Sequence, residues 1–377
     1  MSIKREIFNR FRTSLQYYLA RRSEIKKFQD PRRVEIYSKV TLSKEQKNEI
    51  DAFYLKFYGA KVPYTWHRHF YAMTGKFDKK YFPELLFIPE YESLMNSDKY
   101  TYALADKNIT QLLFNNNIVK MPKVKFSCAN GIIRDENLRI INKEKAAAIL
   151  NDTGVCFIKP TVDSCSGQGC QLLDCHNGKD VISDKKVLNI TDNIGTDFVV
   201  QECIQCHKSV KDLHPESVNT FRIISYIAPS GEIHHTPVIM RIGRGKNFLD
   251  NAHAGGIFIG ISDDGDLLDY ATTEFNDKFY IHPDSNVEFK GYKIPLVRKV
   301  IEKSKELHAM IPQIGCINFD FTINEDGDVV LIELNLNGGS IWLPQMAWGK
   351  GAFGDDTEDI LLFLKSKRGK FPFRFKI

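Results

Sequence analysis

The apolar residues Ile3, Ile7, Phe11, Leu15 and Leu19 recur every fourth position with Lys and Arg between them, a spacing that predicts a helix over 3–28. A second helix is expected over 43–58. It opens with Ser43-Lys-Glu-Gln46, a capping box whose side chains satisfy N–H groups left orphaned by the first turn. Residues 61–100 carry scattered aromatics and prolines without a clean period, and read as irregular packing around a helical N-terminal region spanning 1–104. From residue 105 short apolar runs alternate with helical patterns. Helices are expected over 107–115, 143–150 and 295–310. Strands are expected over 155–159, 170–174, 197–202, 220–228, 235–242, 256–262, 317–323 and 329–335. Strands joined by hairpins, with helices to one side, make an α+β fold with antiparallel sheets. A chain of 377 residues exceeds what one core usually supports, so two or three packed units are expected.

At 43% apolar and 26% charged, the composition is that of an ordinary globular chain. Charge distribution says more. Residues 1–33 hold ten Lys and Arg against Glu6, Glu24 and Asp30, a local +7, which leaves −2 for the remainder of a chain totalling +5. That balance argues against a nucleic-acid-binding surface. The basic helix suits peripheral contact with an anionic membrane or a lipid-linked substrate. The favoured expectation is plainer: its apolar row docks on the protein and its basic face is solvated. With no export signal and no run near the roughly 20 apolar residues of a membrane span, the chain is expected to be cytoplasmic, its eight cysteines reduced. Cys203-Ile-Gln-Cys206-His207 has the spelling of a haem attachment site, and Cys165, Cys170 and Cys175 lie near it. Their spacing matches no common zinc site, so small buried or half-exposed thiols are expected.

Candidate chemistry concentrates near the C-terminus. Asp326-Gly327, flanked by alternating apolar residues, predicts a two-residue type I′ hairpin turn. In that register Asp320 lies opposite Glu333 and Asn318 opposite Asn335. Glu333 and Asn335 then share one face, while Phe319, Phe321, Ile323, Val330, Ile332 and Leu334 fill the other. Two carboxylates this close repel unless a cation or a shared proton intervenes, and hard oxygen donors suit Mg2+ carrying substrate phosphates. The tail Asn335-Leu-Asn337-Gly-Gly-Ser340 would let backbone approach a ligand. Upstream, the strand Val155-Cys-Phe-Ile-Lys159 delivers a lysine at its end. Ser164, Ser166, Gly167 and Gly169 then form a loop able to offer N–H groups to phosphate, and it is not a Walker loop. The strand Asp197-Phe-Val-Val-Gln201-Glu202 ends in polar groups, where backbone can read an adenine edge.

In order, these pieces resemble the ATP-grasp superfamily, with the nearest likeness to its sugar-transfer-associated branch. The likeness runs over about 100–345, through Asp106-Lys107-Asn, Phe157-Ile-Lys159-Pro160, Val200-Gln-Glu202, Asn219-Thr-Phe-Arg222, Arg241-Ile-Gly and Asn251-Ala-His-Ala-Gly255-Gly256 to Asp320, Glu333 and Asn335. The resemblance implies an ATP-grasp fold, with a nucleotide-lid subdomain over 105–200 and a metal-binding subdomain over 201–370. It implies ATP and Mg2+ as cofactors, with Lys107 and Lys159 gripping phosphate and the 164–169 loop closing over it. Gln201, Glu202 and Ile204 would read adenine, His207 the ribose, and Asp320, Glu333 and Asn335 would ligate the metal. Relatives carry an arginine where this chain has Asn318, so the transition-state cation is sought in Arg222 and Arg241. His253 and Gly255-Gly256, with Arg241, are expected on the acceptor side. The implied activity is a ligase joining an amine or amino acid to a carboxylate, here a sugar acid in surface-polysaccharide (capsule) assembly. A sugar kinase and a non-catalytic nucleotide-binding module are the alternatives.

Overall fold

The computed structural model describes residues 3–114, 117–162, 167–190 and 195–367. Helix α1 spans Ile3–Lys27, α2 Pro31–Ser38, α3 Lys44–Phe57 and α4 Thr65–Thr74. The capping box of α3 forms as expected, with the Gln46 N–H donating to Ser43 Oγ at 3.2 Å and the Ser43 N–H to Gln46 Oε1 at 2.9 Å. The 61–100 stretch is more regular than its sequence suggests: it holds α4, a π-helical turn at Phe87–Glu92 and a helix beginning at Asp98. Its side chains are buried on several faces at once, so no single apolar stripe marks the period.

Helix α1 departs from expectation in the opposite sense. Ile7, Phe11, Leu15 and Leu19 are exposed, at 56%, 46%, 37% and 53%. The helix instead packs through Ser14, Glu24 and the Tyr17 hydroxyl, which donates to Glu90 Oε1 at 2.9 Å. Buried polar partners outweigh the apolar row here, because Glu90 is itself buried and needs donors.

The strands are β1 Val124–Ala129, β2 Ile132–Asp135, β3 Val155–Pro160, β4 Gln171–His176, β5 Lys179–Asp180, β6 Phe198–Glu202, β7 Thr220–Ile227, β8 Ile233–His235, β9 Ile239–Ile242, β10 Ile257–Gly260, β11 Ala271–Thr272, β12 Lys278–Phe279, β13 Cys316–Ile323 and β14 Val329–Asn335. They form a six-stranded sheet ordered β2-β1-β6-β3-β4-β5 and an eight-stranded sheet ordered β12-β11-β10-β9-β7-β13-β14, with β8 beside β7. Pairings within both are antiparallel. The single strand expected over 235–242 is two, interrupted at Thr236-Pro237, where proline cannot donate to the ladder.

Side-chain alternation explains how the sheets enclose a site. In the larger sheet Phe221, Ile223, Ile317, Phe319 and Phe321 enter one core, together with Val300 and Leu307 of the helix Val297–Met310. The opposite face changes character along its length. Ile224, Tyr226 and Cys316 are covered by the N-terminal helices, whereas Arg222, Asn318 and Asp320 line an open cleft. In the smaller sheet Cys156, Ile158, Phe198 and Val200 pack with Ala146 and Leu150 of the helix Lys143–Thr153, which leaves Phe157, Lys159 and Gln201 facing the same cleft.

The hairpin between β13 and β14 pairs Asp320 with Glu333 and Asn318 with Asn335, as expected, but by a different route. Its turn is a three-residue loop: Gly327 N–H donates to Asn324 O and Asn324 N–H to Asp328 O, both at 3.0 Å. Among the residues of this loop only Gly327 takes a left-handed φ, of 83°, so the type I′ turn is replaced by a type I turn closed by glycine. Pairing nearer the turn is therefore shifted, with Phe321 opposite Leu331. A bulge at Ile332 then restores the register at Glu333. The bulge also moves Ile332 out of the core and into the cleft wall, leaving Leu331 buried in its place.

Candidate active site

Between the sheets lies a cavity of about 460 Å³, a volume that suits a nucleotide-sized ligand. One end is apolar, walled by Val155, Phe157, Leu172, Ile204, Phe248 and Ile332. Phe157 and Phe248 meet edge to face across it, their ring centroids 5.8 Å apart. Gln201 and Glu202 border this end. Gln201 Nε2 donates to Pro122 O at 3.3 Å, and Glu202 N–H donates to Lys123 O at 3.0 Å.

The other end is charged. Asp320 accepts two hydrogen bonds from Arg222, Nε to Oδ1 at 2.6 Å and a terminal guanidinium nitrogen to Oδ2 at 2.8 Å. Asn335 Nδ2 donates to Asp320 Oδ2 at 3.4 Å. Burial works to raise the Asp320 pKa, yet Arg222 and then Arg241 hold it below its ordinary value. Arg241 is braced by Asp250 at 3.0 Å, by Thr220 Oγ1 and by Asn251 Oδ1. Thr220 in turn donates to Asp250, whose carboxyl is pushed up by burial against the pull of Arg241.

Lys107 opens the helix Lys107–Leu113, capped by the Asp106 side chain, and its backbone N–H is tied to Thr161 O at 3.1 Å, just past the end of β3. Its ammonium pairs with Glu333 Oε1 at 3.1 Å. Lys159 is buried at 7% exposure, and that burial lowers its pKa, with Glu333 acting to raise it and Lys107 to lower it further. The hairpin acids and the two lysines thus converge from opposite walls.

Other expected residues fall variously. Gly167 and Gly169 both adopt left-handed φ, 79° and 76°, and a Cβ on Gly167 would come within 2.6 Å of Leu249 on the far wall. Ser164 and Ser166 lie outside the described residues. His207 does not line the cleft: it caps the helix Lys208–Lys211, its Nδ1 accepting from Ser209 N–H. Lys211 and Glu216 border the cleft in that region instead. Cys206 is buried with its sulfur 3.5 Å from Thr322 Oγ1, and the described cysteines are free thiols. His253 lines the cleft and its Nδ1 lies 2.6 Å from Glu274 Oε2.

Sequence reasoning passed over Thr220, Asp250 and Glu92. Asp250 directly precedes the Asn251-Ala-His-Ala-Gly255-Gly256 motif, but nothing in a lone aspartate signals a partner for an arginine nine residues away. Glu92 sits in the stretch without period, yet its carboxylate accepts from Gly338 N–H at 2.7 Å and Gly339 N–H at 2.8 Å. The glycine-rich tail therefore presents its backbone to Glu92 as well as to the cleft. A Cβ on Gly339 would lie 2.6 Å from Asn318 Nδ2, which explains glycine there.

A family model described as sugar-transfer associated ATP-grasp matches residues 87–359. The chain belongs to that family. Membership fixes the α+β ATP-grasp fold expected from the sequence. No curated protein matches the ATP-grasp chain. Among solved structures it is similar to the ADP complex of an N5-carboxyaminoimidazole ribonucleotide synthetase, at 13% identity and TM-score 0.37 over 63% of this chain and 45% of that one. The biotin carboxylase domain of a Hydrogenobacter thermophilus 2-oxoglutarate carboxylase gives 13% and 0.40 over 70% and 46%. The ATP-grasp ligase PsnB gives 10% and 0.41 over 72% and 63%. The chain spans less than half the length of the first two and under two thirds of the third. The assignment rests on the family model. No helix among the described residues is long and apolar enough to cross a membrane.

Proposed function

We propose that this ATP-grasp chain joins an amine or amino acid to a carboxylate at the expense of ATP, through an acyl phosphate. The observation that carries the reading is the meeting of Lys107 and Lys159 with Glu333, Asp320 and Asn335 at the charged end of a cleft whose other end is apolar. The apolar end, bordered by Gln201, Glu202 and Ile204, receives adenine, and the lysines receive the β- and γ-phosphates. Two carboxylates and an amide oxygen are the hard donors Mg2+ prefers, and the Asn335 oxygen is left available when its Nδ2 donates to Asp320. When bound, the ion supplies charge neutralisation between phosphates and carboxylates.

In the first step a substrate carboxylate oxygen bonds to the γ-phosphorus as the bond to the β,γ-bridging oxygen breaks, releasing ADP. In the second the amine nitrogen bonds to the acyl carbon, phosphate leaves with the bonding pair and the nitrogen loses a proton. Lys159, Arg222 and Arg241 offset the negative charge that develops on the transferring group. No side-chain nucleophile is required. The family's association with sugar transfer supports a sugar acid as the carboxylate and a role in surface-polysaccharide synthesis.

The test is incubation with ATP, Mg2+ and a panel of uronic acids, with hydroxylamine as trapping amine. A hydroxamate with stoichiometric ADP is the expected outcome; a stable phosphate ester would indicate a kinase. Glu333→Ala is expected to lower turnover by about two orders of magnitude or more. An undiminished rate in that variant would remove the metal assignment.

A further inference from the structure

We propose that α1 seats the protein on the surface of an anionic lipid bilayer. The helix has two faces with separate uses. Ser14, Tyr17, Arg21, Glu24 and Phe28 follow one another at spacings of three or four and make the face that packs on the protein. Ser14, Glu24 and Phe28 are buried, and Tyr17 and Arg21 both engage Glu90, at 2.9 and 3.5 Å. Phe8, Phe11, Leu15, Leu19, Arg22 and Lys26 follow the same spacing and make a second face, turned to water.

Phe8 is 64% exposed, and Ile7 lies beside it at 56%. Arg12, one turn from both Phe8 and Leu15, is exposed, as are Arg22 and Lys26. Glu24, by contrast, lies on the packed face and pairs with Lys27 at 2.6 Å. The outward stripe therefore mixes bulky apolar groups with cations. A convex stripe of this kind does not form a groove for a peptide. It matches the boundary between headgroups and acyl chains, where Phe and Leu enter the apolar layer while Arg and Lys reach back to phosphate. Arg12, Arg22 and Lys26, exposed along this face, supply attraction to anionic lipid.

Anchoring by Glu90 holds the stripe outward in a fixed direction, since the same carboxylate also accepts from Tyr58 at 2.8 Å. The turn that carries Glu90 carries Glu92, which grips the glycine loop of the cleft. One π-helical turn thus connects the bilayer-facing helix to the glycine loop that lines the cleft. The proposal does not depend on the ligase reading.

Cosedimentation of the full chain with vesicles of equal parts phosphatidylcholine and phosphatidylglycerol tests it, beside vesicles of phosphatidylcholine alone. Binding is expected on the mixed vesicles, at least about tenfold weaker on the neutral ones, and declining with added salt. A Leu15→Glu/Leu19→Glu variant, altered only at exposed positions, should keep the wild-type melting temperature and lose about tenfold or more in vesicle affinity. Arg22→Glu/Lys26→Glu should lose most of its binding at low salt. Three results would overturn the proposal: wild-type protein that stays in the supernatant with both vesicles, both variants binding as wild type does, or a dimer that Leu15→Glu/Leu19→Glu splits. In the last case the face belongs to a second copy of the chain.

Discussion

On the eight-stranded wall of the cleft the charges answer one another, Arg222 with Asp320 and Arg241 with Asp250, whereas on the six-stranded wall Lys159 is buried with no hydrogen-bond or ion-pair partner among the described residues. The two walls bury ionised groups to a similar degree and differ in what compensates the lost hydration. A buried charge that makes no direct ion pair and feels only the more distant pull of Glu333 is costly, and folding tolerates it where something later offsets the cost. The larger sheet assembles its electrostatics as it folds. The smaller holds one ammonium whose natural complement is an anion brought by a ligand, and in the ligase reading that anion is the triphosphate.

Substitutions on the two walls should therefore act in opposite directions. The largest effect is expected from Asp320→Ala, which leaves the Arg222 guanidinium buried without its acceptor. Urea unfolding should register a loss of about 3–5 kcal/mol. A loss under about 1 kcal/mol would mean that solvent already reaches the pair. Next comes Lys159→Met, which removes a buried charge that makes no direct ion pair and keeps the length of the side chain. Its ligand-free stability should match wild type or exceed it by about 1 kcal/mol. A fall as deep as that of Asp320→Ala would reveal a partner for Lys159 and erase the contrast between the walls.

A smaller effect is expected at Glu92, where the cleft's glycine loop is held. Burial, opposed by the Gly339 and Gly338 N–H groups, raises this carboxyl from 4.5 to about 7. A group raised above its unfolded value contributes stability in full below the unfolded pKa and loses it as pH climbs through the folded one. Melting temperature should accordingly fall more steeply from about pH 5 to about pH 8 in wild type than in Glu92→Gln. Parallel curves would show that Glu92 does not titrate in that range.

Legibility in the sequence followed the physics of each region. The strands that carry Lys159, Gln201, Arg222 and Asp320 were readable because short apolar runs between polar groups leave few alternatives. The pairing of Asp320 with Glu333 was also readable, but only because a three-residue loop and the Ile332 bulge offset each other. Neither feature has a signature in the residues, so simple alternation puts Ile332 on the face opposite to the one it occupies. The helices between 61 and 100 were hidden by burial on several sides. The destination of the row on α1 was hidden too, because periodicity reports a face and not what covers it. The partnerships of Asp250 and Glu92 join segments distant in sequence, which no local pattern encodes.

In the ligase reading Lys159 is a buried cation kept for a ligand's phosphates. Calorimetric titration of MgATP into wild type and into Lys159→Met, under conditions where both are folded, addresses it directly. The expected result is clear binding by wild type and affinity at least about a hundredfold weaker in the variant, near 3 kcal/mol. Equal affinities would contradict it.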